Sequence, residues 1–448
     1  MRFKIPKELK EVAKVFIENN YQVFLVGGAV RDYCFGKKPN DFDIATDASS
    51  TQVISLFKRV LSTGIQHGTV TILYKGKSFE CTTFRTEGKY SDSRHPDDVN
   101  FVSNIEEDLS RRDFTINAMA ISLKTNELLD LFGGQHDLKN KLIKTVGLPE
   151  ERFSEDPLRM LRAIRFASRL NFKLDEKTEL AIKKLSHKIL SVSNERIKDE
   201  LEKILMTGKP IIGLQLLDRT QLLDKIIPEL SAGRGVEQGT FHNADVLQHS
   251  FVVCNNTPQK IELRLAGLFH DIAKPVTKTV DEFGEIHFYG HENEGEKITR
   301  QVLNRLKFPN KIIDKVAKLV RHHMFNYTSE WSDKAIRRFI VRVGEENIDD
   351  LLHLRLADIS GLKKVNADIS HILELKTRIE KIIENKNCLS LKSLKINGSD
   401  LIALGIPKGR VIGQILNELF QVVLDDPSEN EKNKLLHIAK KLKEKYLV

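Results

Sequence analysis

The sequence predicts an α+β protein, a small N-terminal head of mixed sheet with helices followed by a long all-α body. Three observations carry this expectation. Strand-like runs (Val23 to Val26, Thr69 to Tyr74, Phe79 to Phe84) are confined to roughly the first 130 residues. Beyond them Leu, Ile and Lys recur at helical spacing, with few strand signals. The length of 448 residues, 40% hydrophobic and 30% charged, allows two to four domains with substantial cores.

Taken from the start, MRFKIPKELKEVAKVF reads as a helix start and not a signal peptide, because charges interrupt it every few residues. With no long apolar run anywhere, the chain is expected in the cytoplasm with no membrane partner. Its four cysteines, Cys34, Cys81, Cys254 and Cys388, are widely spaced and form no CxxC, which argues against a disulfide or zinc framework. A formal charge of +9 and a pI of about 9.1 suit a polyanionic partner, nucleic acid first. No internal repeat, low-complexity tract or long heptad run occurs. The Gly-rich polar stretch SAGRGVEQGT, 231–240, is the best internal boundary, and a weaker break falls near Gly361.

The most informative stretch is LVGGAVRDYCFGKKPNDFDIAT, Leu25 to Thr46. Alternation along a strand puts Asp41 and Asp43 on one face, where two hard carboxylates can hold Mg2+ together with a substrate's phosphates. Gly27 and Gly28 follow the strand Val23 to Val26 and let backbone amides approach a triphosphate. Arg31 adds a fixed positive charge. A DxD pair in a plain turn is the bland alternative, and its weight falls once GG, RD and DxD share one short segment.

Further along, Glu80 on SFECTTFR is a candidate third carboxylate, although strand alternation equally allows it to face water. The polar run Thr86 to Asp98 reads as a mobile loop, with Arg94 its best substrate contact. In RRDFTINAMA, Arg111 and Arg112 can clamp phosphates while Asp113 and Asn117 reach a ribose or hydroxyl; a solvated charged turn is the competing reading. In FSEDPLRMLRAIRFASRL, Glu155, Asp156 and Arg159 are expected at a helix start. A carboxylate beside a guanidinium accepts from the exocyclic amine of adenine or cytosine and donates to the adjacent ring nitrogen, a pattern that uracil and guanine reverse. Asp156 before Pro157 is equally a helix cap.

Five ordered motifs, LVGGAVRDYCFGKKPNDFDIAT, RRDFTINAMA, DLFGGQHDLKNKLIKTVG, EDPLRMLRAIRFASRL and NERIKDELEKIL, resemble those of the class II tRNA nucleotidyltransferases, the CCA-adding enzymes, whose head is shared with bacterial poly(A) polymerases. The resemblance implies that Asp41 and Asp43 bind catalytic magnesium and that Gly27, Gly28 and Arg31 hold the triphosphate. It gives Arg112, Asp113 and Asn117 to ribose and phosphate, Asp156 and Arg159 to the incoming base with Glu155 bracing, and makes Asp130 with Gly133 and Gly134 a springlike hinge. The implied reaction is template-independent, two-metal, in-line addition of CCA to the 3′ end of tRNA from CTP and ATP. Basic helices would grip the acceptor stem and elbow.

A second constellation, His249 in DVLQHS, His270 and Asp271 in LFHDIAKP, and Asp358 in RLADIS, resembles the HD superfamily of metal-dependent phosphohydrolases. His291 and the His322, His323 pair extend it toward a second metal, and a vestigial helical spacer is the plain alternative. The tail contains LKINGSDLIALGIPKGRVIG, resembling the C-terminal ends of bacterial CCA-adding enzymes, with Arg410 where a proline is expected. Its Gly398, Gly405, Gly409 and Gly413 suggest a backbone-to-phosphate hairpin, and Lys440, Lys441, Lys443 and Lys445 a solvated face.

The resulting division is 1–138 nucleotidyltransferase head, 139–230 helical neck, 241–360 HD-type metal-binding domain and 361–448 tRNA-binding tail. Monomer and dimer both stay open. So do a poly(A) polymerase, a CC-only or A-only enzyme, and an HD phosphohydrolase using the head to bind RNA. The polar loop argues against the CC-only enzyme, and the paired aspartates against a dead head.

Overall fold

The computed structural model describes residues 3–87, 99–238, 244–361, 368–385 and 389–447. The chain forms two compact units, Met1–Ala232 with Val302–Phe308, and Gly233–Gln301 with Pro309–Val448. The break falls inside the Gly-rich stretch that marked the boundary in sequence; residues 239–243, Arg94 with most of its polar loop, and Cys388 lie outside the described residues.

Among the described residues up to Asp130 the chain forms nine strands: β1 Val23–Val26, β2 Asp43–Thr46, β3 Val60–Gly64, β4 Thr69–Tyr74, β5 Lys77–Thr83, β6 Arg85–Glu87, β7 Val99–Phe101, β8 Met119–Ser122 and β9 Leu128–Asp130. Seven form one mixed sheet in the order β3-β4-β5-β2-β1-β8-β9, with β2 and β5 parallel and every other neighbouring pair antiparallel. The remaining two, β6 and β7, pair with each other at the base of the polar loop.

Strand alternation divides the core between the two faces of the sheet. Val23 and Leu25 of β1, Ile44 of β2, Phe79 and Cys81 of β5 and Ile121 of β8 share one apolar cluster. The helix Lys7–Glu18 covers that face with Leu9, Val12, Ala13 and Phe16, the spacing of a helical stripe. The opposite parity, Val26, Ala45 and Ala120, belongs to a smaller cluster with Phe84 and Leu109. Asp43 and Glu80 have this second parity and are Cα partners across the β2–β5 ladder, so their side chains leave the same face together. Asp41 precedes β2 instead of lying in it, and only Asp43 is a strand residue.

The rest of this unit is helical apart from a two-residue parallel pair, Leu142–Ile143 with Lys173–Leu174, that the sequence did not announce. Such strands are too short to carry periodicity, and a partner 31 positions away completes them. Gly134 shows why its motif is fixed. Asp130 accepts hydrogen bonds from the Gly134 and Gln135 amides at 2.7 and 2.8 Å, and a Cβ on Gly134 would collide with the Thr115 carbonyl and Met119.

Among its described residues the second unit is helical with one small hairpin, Thr279–Val280 with Ile286–His287. Its C-terminal part has its own core of Leu394, Leu401, Ile415, Leu419, Val423 and Leu435 among others. The buried Arg337 caps the helix Arg410–Asp425 by donating to the carbonyls of Leu424 at 2.8 Å and Asp425 at 3.0 Å. Arg410 opens that helix, and Gly413 lies inside it, so the four glycines do not form a continuous hairpin. Lys443 is no merely solvated cation: its Nζ donates to the Leu404 carbonyl at 2.9 Å.

Candidate functional site

A cleft of about 770 Å³ opens on the carboxylate-bearing side of the head. Gly27, Gly28, Arg31, Asp43, Arg112, Asp113, Asn117, Asp156 and Arg159 all line it, although they come from four separate stretches of sequence. Asp41 and Glu155 are not among its lining residues. Nine arginines face it against three aspartates, a strongly anion-attracting composition.

At its base the chain turns through Gly27, whose φ of +68° favours glycine. A methyl there would stand 3.4 Å from the Arg112 guanidinium and 3.7 Å from the Asp43 carboxylate, filling the space between cation and anion. Asp43 keeps solvent access, yet the protein packed round it and the Glu80 and Asp41 carboxylates raise its carboxyl above the ordinary range, against the pull of Arg112. Crowding like charges is unfavourable unless something cationic joins them. Asp43 and Glu80, leaving one face of the sheet as Cα partners, are hard carboxylates of the kind magnesium prefers, and in chemistry they fit that ion.

The guanidiniums are held by a chain of polar contacts. Arg31 is buried and donates to Asn117 Oδ1 at 2.8 Å and to Asp32 at 2.8 and 3.0 Å. Asn117 Nδ2 donates to Asp113 at 3.2 Å, and Asp113 receives Arg162 at 2.9 and 2.5 Å. Burial alone would raise Asp113, but Arg162 outweighs it and holds the carboxyl below its usual value. Asp113 thus accepts from Arg162 and Asn117 while lining the cleft. Asp108, 1% exposed, takes Arg111 at 2.8 Å and Arg112 at 3.0 Å. Among the described residues the buried Nε atoms of Arg112 and Arg165 have no hydrogen-bond partner, leaving donors for an anion.

The base-reading segment departs from expectation in its local structure. Glu155 ends the helix Pro149–Glu155, Asp156 is the joint, and Arg159 lies in the first turn of Leu158–Leu170. Asp156 is not the N-cap of that helix, a place Pro157 takes, but it accepts the Leu158 amide at 3.1 Å and Arg196 at 2.9 Å. Arg159 pairs closely with Glu155. Sequence reasoning passed over Arg162, Arg165, Arg169 and Arg196. The first three continue Arg159 at spacings of three, three and four along one helix, a stripe that was there to be read. Phe166 gathers Arg165, Arg31 and Arg162 over its ring at 4.6, 5.6 and 5.7 Å. The motif NERIKDELEKIL supports this helix, with Arg196 on Asp156 and Glu200 on Arg165 at 3.2 Å.

In the second unit His249, His270, Asp271 and Asp358 converge with His291 and His323. His249 Nε2 lies 3.0 Å from Asp358 Oδ1 and 3.9 Å from Asp271 Oδ2, while His270 Nε2 lies 3.1 Å from Asp271 and 3.7 Å from Asp358. His291 Nε2 is 3.4 Å from Asp271 and 3.3 Å from His323 Nε2. His270, His291 and His323 each place Nδ1 against the carbonyl three residues earlier, at 2.9, 2.7 and 2.7 Å. A carbonyl only accepts, so Nδ1 carries the proton and Nε2 turns its lone pair inward, as a metal ligand does. The donor set and its burial fit a divalent ion. Lys274 shares the centre, 2.6 Å from Asp271. His322 does not join: one residue along a helix turns it about 100° from His323.

Fold and cleft together define a nucleotidyltransferase head on a helical body. Family models match in three places: the poly A polymerase head domain over residues 23–144, a probable RNA and SrmB binding site of polymerase A over 171–233, and a putative tRNA nucleotidyltransferase domain 2 over 291–439. The CCA-adding enzyme of Enterococcus faecalis is 35% identical over 98% of both chains, and that of Bacillus subtilis 47% identical over 48% of this chain and 54% of its own. The structure of the Bacillus stearothermophilus CCA-adding enzyme in complex with CTP superposes with a TM-score of 0.74 at 28% identity, covering 98% of each chain. This chain belongs to the class II CCA-adding enzymes of the poly(A) polymerase family. No helix among the described residues is long and apolar enough to cross a membrane.

Proposed function

We propose that this chain adds CCA to the 3′ end of tRNA from CTP and ATP, without a nucleic-acid template, in the cytoplasm. The observation that carries the reading is Asp43, paired across the sheet with Glu80 and lining a cleft walled by arginines. The tRNA 3′-hydroxyl gives up its proton to solvent and attacks the α-phosphate; the new O–P bond forms as the bond to the β-phosphate oxygen breaks, and pyrophosphate departs with the electron pair. Asp41 and Asp43 would hold magnesium, which would supply charge neutralisation for the attacking and leaving oxygens. Arg31 and Arg112, with the Gly27–Gly28 turn, hold the triphosphate. Asn117 orients Arg31, and Asp113 orients Arg162.

Asp156 and Arg159 read the base edge, with Glu155 fixing the guanidinium. Asp156 Oδ1 and Oδ2 each receive one donor, and a carboxylate offers about four lone-pair sites, so it has room for an exocyclic amine. The functional segments we assign are 1–138, 139–230, 241–360 and 361–448, the last two carrying the phosphohydrolase-like centre and tRNA contacts.

Incubating the enzyme with tRNAs ending before, within and after CCA, and each labelled nucleotide in turn, tests the assignment. Ordered addition of two C and one A supports it. A homopolymeric A tail, or a stop after CC, replaces it with one of the related activities.

A second reading attaches to the six-residue centre, whose inward Nε2 lone pairs favour a bound divalent metal and hydrolysis of a phosphoester. Purified protein should carry metal by mass spectrometry and release phosphate from a generic phosphomonoester. Asp271→Ala should lose both while CMP incorporation persists; a metal-free centre without hydrolysis would leave only the helical spacer.

A further inference from the structure

The helix Leu158–Leu170 also borders a smaller cleft of about 370 Å³, lined by Arg165, Arg169, Lys203, Met206, Thr207 and Gly208. Arg165 and Arg169 thus line this cleft and the arginine cleft alike. Elsewhere in the arginine cleft Arg31, Arg112, Arg159, Arg162 and Arg196 each pair with a carboxylate. Here one carboxylate, Glu200, serves both Arg165 and Lys203, at 3.2 Å each. Arg169 is exposed and forms no ion pair among the described residues, and the buried Nε of Arg165 has no hydrogen-bond partner there. Burial works against the Arg165 charge, Glu200 and Asp113 favour it, and Arg162 and Arg169 repel it. A small anion would satisfy Arg165, Arg169 and Lys203 together.

We propose that this smaller cleft is the outlet for pyrophosphate, seating the released anion between Arg165, Arg169 and Lys203, a reading that rests on Asp43 and Arg31 marking the nucleotide's phosphates. The helix sets the direction of travel. Arg159 in its first turn is given to the base, whereas Arg31, given to the triphosphate, lies 5.6 Å from the Phe166 ring centroid and Arg165 lies 4.6 Å from the same ring. Arg169 follows one turn later, about 6 Å along the axis. Lys203 completes the series from the helix Asn194–Leu205. An anion leaving a strongly cationic cleft loses Coulomb energy over the whole distance unless another cation lies within reach. Guanidiniums a turn apart divide that loss into short steps, and the exposed Lys203 on its flexible stem hands the ion to water. A phosphodiester of the RNA backbone shares this phosphate chemistry. Among the described residues, however, no aromatic ring lines the cleft to stack a base.

Equilibrium dialysis of labelled pyrophosphate with Mg2+, at saturating CTP and without tRNA, tests the seat on the unmodified enzyme. Pyrophosphate should bind stoichiometrically beside the nucleotide. Lys203→Glu, outside the arginine cleft, should weaken that binding at least about tenfold, whereas Lys139→Glu, an exposed lysine outside both clefts, should match wild type. Displacement of all pyrophosphate by CTP overturns the proposal. So does a Lys203→Glu enzyme that raises KM for tRNA and still binds pyrophosphate, because the cleft then holds an RNA phosphodiester. Asp43→Ala separates the two readings: retained incorporation there refutes the transferase assignment on which the outlet rests, while an inactive Asp43→Ala beside a pyrophosphate that CTP displaces refutes the outlet alone.

Discussion

At Asp108 a single buried carboxylate pairs with two guanidiniums, Arg111 and Arg112, that line the arginine cleft. Burial would raise this carboxyl, but Arg112 and Arg111 outweigh it and hold it below the ordinary range. A carboxyl lowered in the folded state adds stability above its unfolded value of about 3.9, and that stability is lost as pH falls through the folded value. Asp108→Asn should therefore shrink the acid limb of a pH–stability profile and cost about 1–3 kcal/mol at neutral pH by chemical denaturation. In steady-state kinetics the same variant should raise KM for CTP and ATP about three- to tenfold, with a smaller change in kcat. An unchanged acid limb would show that Asp108 does not organise the pair. At this scale Asp43 and Arg31, read from one short motif, do line the cleft, whereas Asp41, expected on the same strand, precedes it and lies outside the lining. The pairing of Asp113 with Arg162 was not legible, since its partner stands 49 positions away.

Among elements, the helix Leu158–Leu170 does most to shape the cleft, presenting Arg159, Arg162, Arg165 and Arg169 along one stripe. Its helical character was plain from periodicity, and its cationic stripe could have been read from the same spacing. The short strands Leu142–Ile143 and Lys173–Leu174 were not legible, because only their mutual pairing defines them. The turn at Gly133–Gly134 was read as a spring, yet Gly134 is packed against the Thr115 carbonyl and Met119. Gly134→Ala should cost about 1–3 kcal/mol and lower the melting temperature, because the rigid carbonyl cannot yield as a flexible side chain would. A variant as stable as the parent would mean that this joint is looser than its packing.

For the whole molecule, the two units carry separate chemistries: carboxylates and arginines in the first, histidines and aspartates in the second. The division near residue 232 was visible as a Gly-rich polar stretch, and the HD dipeptide pointed to the second centre, while the exclusion of His322 needed helix geometry. A divalent ion that binds only the folded centre should stabilise the second unit by about 2.7 kcal/mol at a hundredfold excess over Kd. His323→Ala should abolish that upward shift in thermal melting and leave nucleotide incorporation intact; a shift that persists would locate the ion elsewhere. The central claim, that Asp43 in the arginine cleft serves nucleotidyl transfer together with Asp41, is tested most directly by single-turnover incorporation of CMP into tRNA by Asp43→Ala, with CTP binding measured in parallel. The expected result is a rate at least about a hundredfold lower with CTP still bound. Incorporation at the parent rate would contradict it.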